Sequence, residues 1–299
     1  MYERILVPTD GSEHAARAAA HALALSRAFD AELHVVTVID VVEAAGPFSA
    51  GGLDKEFIER LEDRGEETIR SLDAVLDEAD DVQTDVVRGT PSDAILDYAA
   101  DHGIDLIAMG THGRSGIRRY IAGSVAERVV RRSNVPVLTV RKTERSRVDD
   151  GYDDVLVPVD GSDHALAAAD HAIAIATLFD ARIHAVHVVD VGAASTTPRV
   201  TPPTTLVEQL RTAGEEAVDA VTTRANDAGV DVTTTVREGF PARDLLAYAD
   251  DHDVDLVAMG TAGRTGLDRL LLGSTTEKLI SRAEMPVLSV SADEQSTDE

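Results

Sequence analysis

The first half of the chain alternates short apolar runs with longer segments in which apolar residues recur at helical spacing. The apolar runs RILVP, ELHVVTVID, VQTDVV, DLIAMG and PVLTV predict five strands. The longer segments predict four helices, with Ser12 as a candidate N-cap and Pro91 just before the third helix; they span Ser12 to Phe29, Leu53 to Ala79, Ser92 to His102, and Ser124 to Arg132. Strands that alternate with helices, and that are rich in Val, Ile and Leu, predict a parallel sheet covered on both faces.

The whole pattern occurs twice. YERILVPTDGSEHA at Tyr2 returns as YDDVLVPVDGSDHA at Tyr152, and GSVAERVVRRSNVPVLTV at Gly123 returns as GSTTEKLISRAEMPVLSV at Gly273. A repeat of this length has the size of a domain. We therefore predict two tandem, doubly wound α/β domains of the Rossmann-like kind, each a five-stranded parallel sheet flanked by helices. The expected bounds are 1–143 and 153–291, with a charged linker at 144–152 and a disordered tail at 292–299.

Composition narrows the classes of function. The net charge of -26 disfavours nucleic acid and anionic membrane surfaces as partners, and the absence of cysteine excludes disulfides and thiolate metal sites. Only three of the 28 basic residues are lysines. An acid-rich, lysine-poor chain is typical of halophilic organisms, which keep molar salt in the cytoplasm, although an ordinary acidic protein stays an alternative. Without a signal peptide or a long apolar run, we expect a cytoplasmic location and no membrane contact.

A glycine-rich segment after the fourth strand carries the candidate chemistry. Gly110 and Gly113 would let a loop bend tightly, and Gly123 and Ser124 open a helix. A helix N-terminus offers unpaired N–H groups and partial positive charge, which suit a phosphate at the carboxyl edge of an open sheet. From Gly110 to Arg132 there are six arginines and one glutamate, so local charge also favours an anion. The alternative is that these residues only punctuate strand–helix junctions.

The spacing of these glycines resembles a known family. Gly110-x2-Gly113-x9-Gly123-Ser124, and its second occurrence from Gly260 to Ser274, are similar to the nucleotide-binding motif of the universal stress proteins (UspA-like). The VPTDGS opening, the HVVTVID strand and the PVLTV ending resemble the same family in order and spacing. The resemblance covers nearly the whole chain and implies two HUP-type domains of the branch that binds ATP.

The resemblance also implies roles for individual residues. Asp10 and Asp160 would lie beside the ribose and adenine, and the backbone of Val38 and Val188 would bind the adenine edge. The pocket walls would be formed by Pro8, Thr9, Pro158 and Val159. The phosphates of ATP, ADP or AMP, with Mg²⁺ as a candidate companion ion, would contact Gly110, Gly113, Arg114, Gly123, Ser124 and Val125 in the first domain, and Gly260, Gly263, Arg264, Gly273, Ser274 and Thr275 in the second.

Motifs of other nucleotide enzymes are absent from the sequence. It has no G-x4-G-K-[ST] loop, no G-x-G-x-x-G at the first strand–helix turn, and no kinase or hydrolase motif. The leading hypothesis is a nucleotide-binding sensor or regulator of the stress response that acts on an unknown protein partner, without a dedicated catalytic or metal site. A slow ATPase or phosphotransferase, and a structural partner protein with vestigial sites, stay as alternatives.

The family resemblance carries one expectation about assembly. Single-domain members commonly pair through their last strand, so we expect Val137–Val140 and Val287–Val290 to form an intramolecular pseudo-dimer. That pairing would cover an otherwise bare edge strand. A further homodimer of the whole chain is left open.

Overall fold

The computed structural model describes residues 1–45, 55–77, 79, 82–113, 123–148, 151–194, 204–263 and 272–292. The chain separates into two compact units, Met1–Asp149 and Asp150–Glu299. The domain bounds expected from the sequence, 1–143 and 153–291, stay a prediction. Among the described residues, no helix combines the length and the apolar character that crossing a membrane requires.

The first unit is a doubly wound domain, as predicted. Its strands are β1 (Arg4–Pro8), β2 (Glu32–Ile39), β3 (Val82–Arg88), β4 (Leu106–Gly110) and β5 (Val137–Val140). Its helices are α1 (Glu13–Phe29), α2 (Val41–Ala45), α3 (Lys55–Arg70), α4 (Asp73–Leu76), α5 (Pro91–Asp101) and α6 (Ser124–Arg132). The strands are parallel in the order β3-β2-β1-β4-β5. The order reverses between β1 and β4, which is where ligands bind in open sheets of this kind.

The second unit repeats this architecture. Its strands are β6 (Asp154–Pro158), β7 (Arg182–Asp190), β8 (Val232–Gly239), β9 (Leu256–Gly260) and β10 (Val287–Val290), parallel in the order β8-β7-β6-β9-β10. Its helices are α7 (Asp163–Phe179), α8 (Val191–Ala194), α9 (Thr204–Asp227), α10 (Pro241–Asp251) and α11 (Ser274–Arg282). The sequence therefore predicted the five-stranded parallel sheet of each unit correctly.

Helices cover both faces of each sheet. Alternate residues of a strand point to opposite sides, so apolar residues at successive positions need a helix on each side. On β2, the buried His34 contacts Tyr98 of α5, with 3.0 Å between Nδ1 and the phenolic oxygen. Thr37, an odd number of residues further along, lies on the other face, close to Gly65 of α3. The central strands are accordingly buried on both sides, with Ile5, Leu6 and Val7 of β1 fully inaccessible to solvent.

Two helix predictions need correction. The single helix expected from Leu53 to Ala79 is wrong, because α3 ends at Arg70 and the short α4 begins at Asp73. The Ser71 hydroxyl donates to the Thr68 carbonyl at 2.6 Å, and Leu72 turns fully into the core, so a bend replaces a continuous helix. Pro91 lies inside α5, at its first turn, where the missing N–H costs no hydrogen bond.

Candidate functional site

A cavity of about 510 Å³ opens at the carboxyl ends of β1, β2 and β4, where the strand order of the first unit reverses. It is bounded by the ends of those strands, the start of α1, one side of α3 and the first turn of α6. Nine of the predicted residues line it together: Pro8, Thr9, Asp10, Val38, Gly110, Gly113, Gly123, Ser124 and Val125. Arg114, the tenth residue predicted for this site, lies outside the described residues.

The turn after β1 is fixed by its own side chains. Asp10 Oδ1 accepts a hydrogen bond from the Ser12 N–H at 3.0 Å. The Ser12 hydroxyl accepts from the Ala15 N–H at 3.2 Å, which confirms Ser12 as the N-cap of α1. The same hydroxyl donates to the His112 carbonyl at 3.3 Å. One serine therefore connects the Asp10 turn to the loop that follows β4.

The glycines of that loop lie where a side chain would collide with other parts of the site. A Cβ atom built at Gly110 would come within 2.8 Å of the His14 backbone, and one at Gly113 within 2.6 Å of the Asp10 carboxylate. At Gly123 it would lie 2.9 Å from the Thr111 carbonyl oxygen, which accepts the Gly123 N–H at 2.5 Å. Gly110 and Gly123 are thus required by the close approach of backbone atoms, and Gly113 leaves room for the Asp10 carboxylate.

The N-terminus of α6 faces this cavity. Gly123 is the N-cap and offers no side chain to the amides of the first turn. Ser124, Val125 and Ala126 supply those amides and all line the cavity. N–H groups of a first helical turn lack partners within the helix and carry partial positive charge, so this end of the cavity suits an anion.

Two histidines adjoin the site. The rings of His14 and His112 lie 5.3 Å apart, and the Lys142 N–H donates to His14 Nδ1 at 3.0 Å. Burial lowers the pKa of His14, and the neighbouring His112 and Arg141 lower it further. His14 is therefore a neutral hydrogen-bond acceptor near pH 7 and adds no charge to the site.

The predicted glycines of the second unit make close approaches to the same parts of that unit. A Cβ atom at Gly260 would lie 2.8 Å from the His164 backbone, one at Gly263 would lie 2.6 Å from the Asp160 carboxylate, and one at Gly273 would lie 3.3 Å from the Thr261 carbonyl oxygen. Pro158 ends β6, Val159 follows it, Val188 lies near the end of β7, and Ser274 and Thr275 open α11. Arg264 lies outside the described residues.

The hydrogen bonding at the turn differs between the units. The Ser162 hydroxyl donates to Asp160 Oδ1 at 2.6 Å, in the position where Ser12 donates to the loop after β4. Asp160 also accepts the Ser162 N–H at 3.0 Å. The carboxylate of the second unit is consequently held by two donors from one serine.

Sequence reasoning missed one wall of the first cavity. Glu43 of α2 and Leu61, Arg64, Gly65 and Thr68 of α3 line it. These residues belong to no motif, and those of α3 were expected to lie in one long helix from Leu53 to Ala79. Spacing along α3 could have shown that Leu61, Arg64, Gly65 and Thr68 share a helix face, but not that this face borders the strand ends. Among the described residues, no three His, Asp or Glu side chains gather in a group that could hold a metal ion.

Fold and site together define a class: tandem, doubly wound α/β domains with a glycine-lined crevice at the switch point of the sheet. The model of the universal stress protein family matches residues 1–141 and again 151–291. The chain belongs to the universal stress protein family.

Individual relatives resemble one or both units. A universal stress protein of Methanocaldococcus jannaschii is 42% identical over 139 residues, which are 46% of this chain and 82% of that protein. A solved universal stress protein from Archaeoglobus fulgidus covers 98% of this chain and 97% of its own with a TM-score of 0.68 at 22% identity, which shows the shared fold. A universal stress protein solved in complex with cAMP covers 48% of this chain and 99% of its own, with 27% identity and a TM-score of 0.37.

Proposed function

We propose that the protein is a stress-response regulator that binds an adenine nucleotide in the cavity of its first unit, with ATP, ADP or AMP as the ligand. Asp10 binds the ribose, the backbone of Val38 binds the adenine edge, and the loop glycines with the first turn of α6 hold the phosphates. The observation that carries this proposal is the convergence of Asp10, Gly113 and Ser124 on one cavity of about 510 Å³.

The chemistry of the lining supports a nucleotide over a simple metabolite. One end offers backbone amides and a hydroxyl for phosphates, while the walls offer the apolar surfaces of Pro8, Val36 and Ile95 to a ring. A carboxylate between them, at Asp10, is placed to accept hydrogen bonds from ribose hydroxyls. Mg²⁺ would bind as the companion ion of the phosphates, whose oxygens are the ligands that this ion prefers.

The regulatory output is a consequence of where the ligand would bind. The Ser12 hydroxyl joins the ribose-side turn to the phosphate-side loop through the His112 carbonyl. A nucleotide that bridges both segments would fix their relative position, and a protein partner can distinguish that state from the empty one. The second unit carries the corresponding turn and loop, so we propose a second site there.

Calorimetric titration with ATP, ADP, AMP and cAMP in molar KCl tests the ligand, and a matched pair of variants tests the site. Gly123→Ala should weaken binding to the first site by roughly tenfold or more, which corresponds to about 1.4 kcal/mol. Gly273→Ala is the control, because it makes the same change in the second unit with less crowding. Its Cβ atom would lie 3.3 Å from the Thr261 carbonyl oxygen, whereas a Cβ atom at Gly123 would lie 2.9 Å from the Thr111 carbonyl oxygen. Unchanged affinity in Gly123→Ala would contradict the phosphate placement.

A further inference from the structure

The helix after the second strand carries a glycine that approaches the sheet in both units. The segment LEDRGEETI in α3 aligns with LRTAGEEAV in α9, so Gly65 and Gly214 are equivalent residues of the two units. A Cβ atom at Gly65 would lie 3.1 Å from Thr37 Cγ2, and one at Gly214 would lie 2.8 Å from His187 Cγ. The two strand residues are equivalent, because Val36 pairs with Pro8 and Val186 pairs with Pro158 immediately before them.

In the first unit this region is polar and borders the cavity. Thr37 and Gly65 line the cavity together with Arg64 and Thr68, so the space between α3 and the end of β2 belongs to the site. The threonine is buried like His187, at 5% exposure, but its side chain is small and lines the cavity, and the arginine is exposed, so a ligand ring would not have to displace a buried ring here.

In the second unit an imidazole stands in the equivalent position. His187 is 91% buried, since only 9% of its surface is exposed, and its Nδ1 lies 2.7 Å from the Val159 carbonyl oxygen. A carbonyl can only accept, so Nδ1–H is the donor and fixes the ring orientation. The residues that align with Arg64 and Thr68 are Ala213 and Ala217, which remove the cation and the hydroxyl from this wall.

We propose that His187 closes the base end of the second site, so that the two units bind adenine nucleotides with different affinities. This inference rests on the proposed nucleotide function. A base entering the second site would have to displace the imidazole and break its hydrogen bond to Val159, whose carbonyl belongs to a residue only 4% exposed. A buried carbonyl left without its donor opposes binding.

The assignment explains why sequence comparison of the glycine motifs does not reveal the difference. Both units keep the loop glycines and the aspartate, with equal Cβ approaches of 2.6 Å between Gly113 and Asp10 and between Gly263 and Asp160. The contact between glycine and aspartate is therefore the same in both units, and the discrimination that we propose arises at the base end of the site, through one strand residue and one helix face.

Reciprocal exchange of the two strand residues tests the inference. ATP titration of the wild-type chain in molar KCl should show one tight site per chain. His187→Thr should add a second site tightened by about tenfold or more, and Thr37→His should weaken the first by a similar factor. Thr233→His is the control, because it makes the same exchange at an exposed position near the start of β8, away from the carboxyl ends of the strands, and it should leave the first site unchanged. Melting curves establish that each variant is folded.

The outcomes separate the two proposals. The closure by His187 would be contradicted if the wild-type chain had two tight sites of equal affinity. It would also be contradicted if the His187→Thr variant still had one tight site, and in both cases the proposed nucleotide function would stand. The absence of adenine-nucleotide binding in all four chains would overturn the proposed function, and the inference with it.

Discussion

The carboxylate of Asp10 lies against Gly113, so closely that a Cβ atom at Gly113 would be 2.6 Å from Oδ2. Asp10 comes from the turn after β1 and Gly113 from the loop after β4, and the two strands are neighbours in the sheet. Asp160 and Gly263 repeat the relationship at 2.6 Å in the second unit. The glycine motif and the aspartate therefore form a single structural element in each unit, although they are about a hundred residues apart.

Gly113→Ala should weaken nucleotide binding at the first site by several-fold, without unfolding the unit. The added methyl group pushes on Oδ2 while Oδ1 is held by the Ser12 N–H at 3.0 Å, so the carboxylate must give up its orientation. Calorimetry with ATP measures the effect. Asp10→Asn is the matched variant, because it keeps an acceptor for Ser12 and changes the charge. Full affinity in Gly113→Ala would show that the Asp10 orientation is irrelevant to binding.

Acid should destabilise the first unit through His21. Burial lowers the pKa of His21 from 6.5 to about 4, and Nε2 lies 2.9 Å from the Ser146 carbonyl oxygen in the folded chain. Between pH 6.5 and about 4, His21 is protonated in the unfolded chain and stays neutral in the folded chain. The stability contributed by the neutral histidine is consequently lost as the pH falls towards about 4, by up to about 1.4 kcal/mol per pH unit.

His21→Asn should remove this slope. The measurement is the free energy of unfolding by urea at pH 7, 6 and 5, as the difference between variant and wild-type chain. Asp255, whose pKa burial raises to about 6, contributes a slope of the opposite sign, but it is present in both chains and cancels. Parallel pH profiles for the two chains would contradict the assignment to His21.

Salt should stabilise the fold strongly. The net charge of -26 on 299 residues implies carboxylate repulsion that is screened to within about 3 Å at 1 M salt. Melting temperatures measured by circular dichroism should rise from low to molar KCl. A flat melting temperature over that range would remove the halophilic interpretation and leave the fold unaffected.

ATP turnover should be far below the roughly 1–100 s⁻¹ of kinases. Amides and a hydroxyl bind phosphates in the ground state, but hydrolysis also needs an oriented water and selective stabilisation of the transition state. Asp10 is engaged by Ser12, and among the described residues the other carboxylate that lines the cavity is Glu43 on α2. Steady-state assays in molar KCl with magnesium measure the rate. Robust turnover that is lost in Asp10→Asn or Glu43→Gln, with ATP affinity intact, would make the protein an enzyme.

The sequence predicted those parts of the molecule that depend on local pattern. Apolar runs predicted the strands, and Ser12 predicted the start of α1. The internal repeat predicted two similar units. The glycine spacing predicted that Gly110, Gly113 and Gly123 would lie together, and they line one cavity, because strand ends and helix starts meet at the switch point of the sheet.

Features that depend on contacts between distant segments escaped prediction. The wall formed by Arg64 and Thr68 requires knowledge of how α3 is rotated over the sheet, and periodicity gives only the residues that share a face. The break after Arg70 depends on Leu72 being buried and on the Ser71 hydroxyl bond, which a propensity for helix does not report. In the sequence, His187 is one residue of an apolar strand, and its contact with Gly214 of α9 is known only from the structure. The pairing of the two closing strands stays a prediction.

Mass spectrometry of the small molecules released when the purified protein is denatured tests the central claim most directly. Purification in molar KCl, followed by denaturation and quantification per chain, should release an adenine nucleotide from the wild-type chain and much less from Gly123→Ala. Stripped wild-type protein should then rebind added ATP, ADP or AMP. Release of a ligand without an adenine ring, or no release together with no rebinding of any adenine nucleotide, would contradict the account.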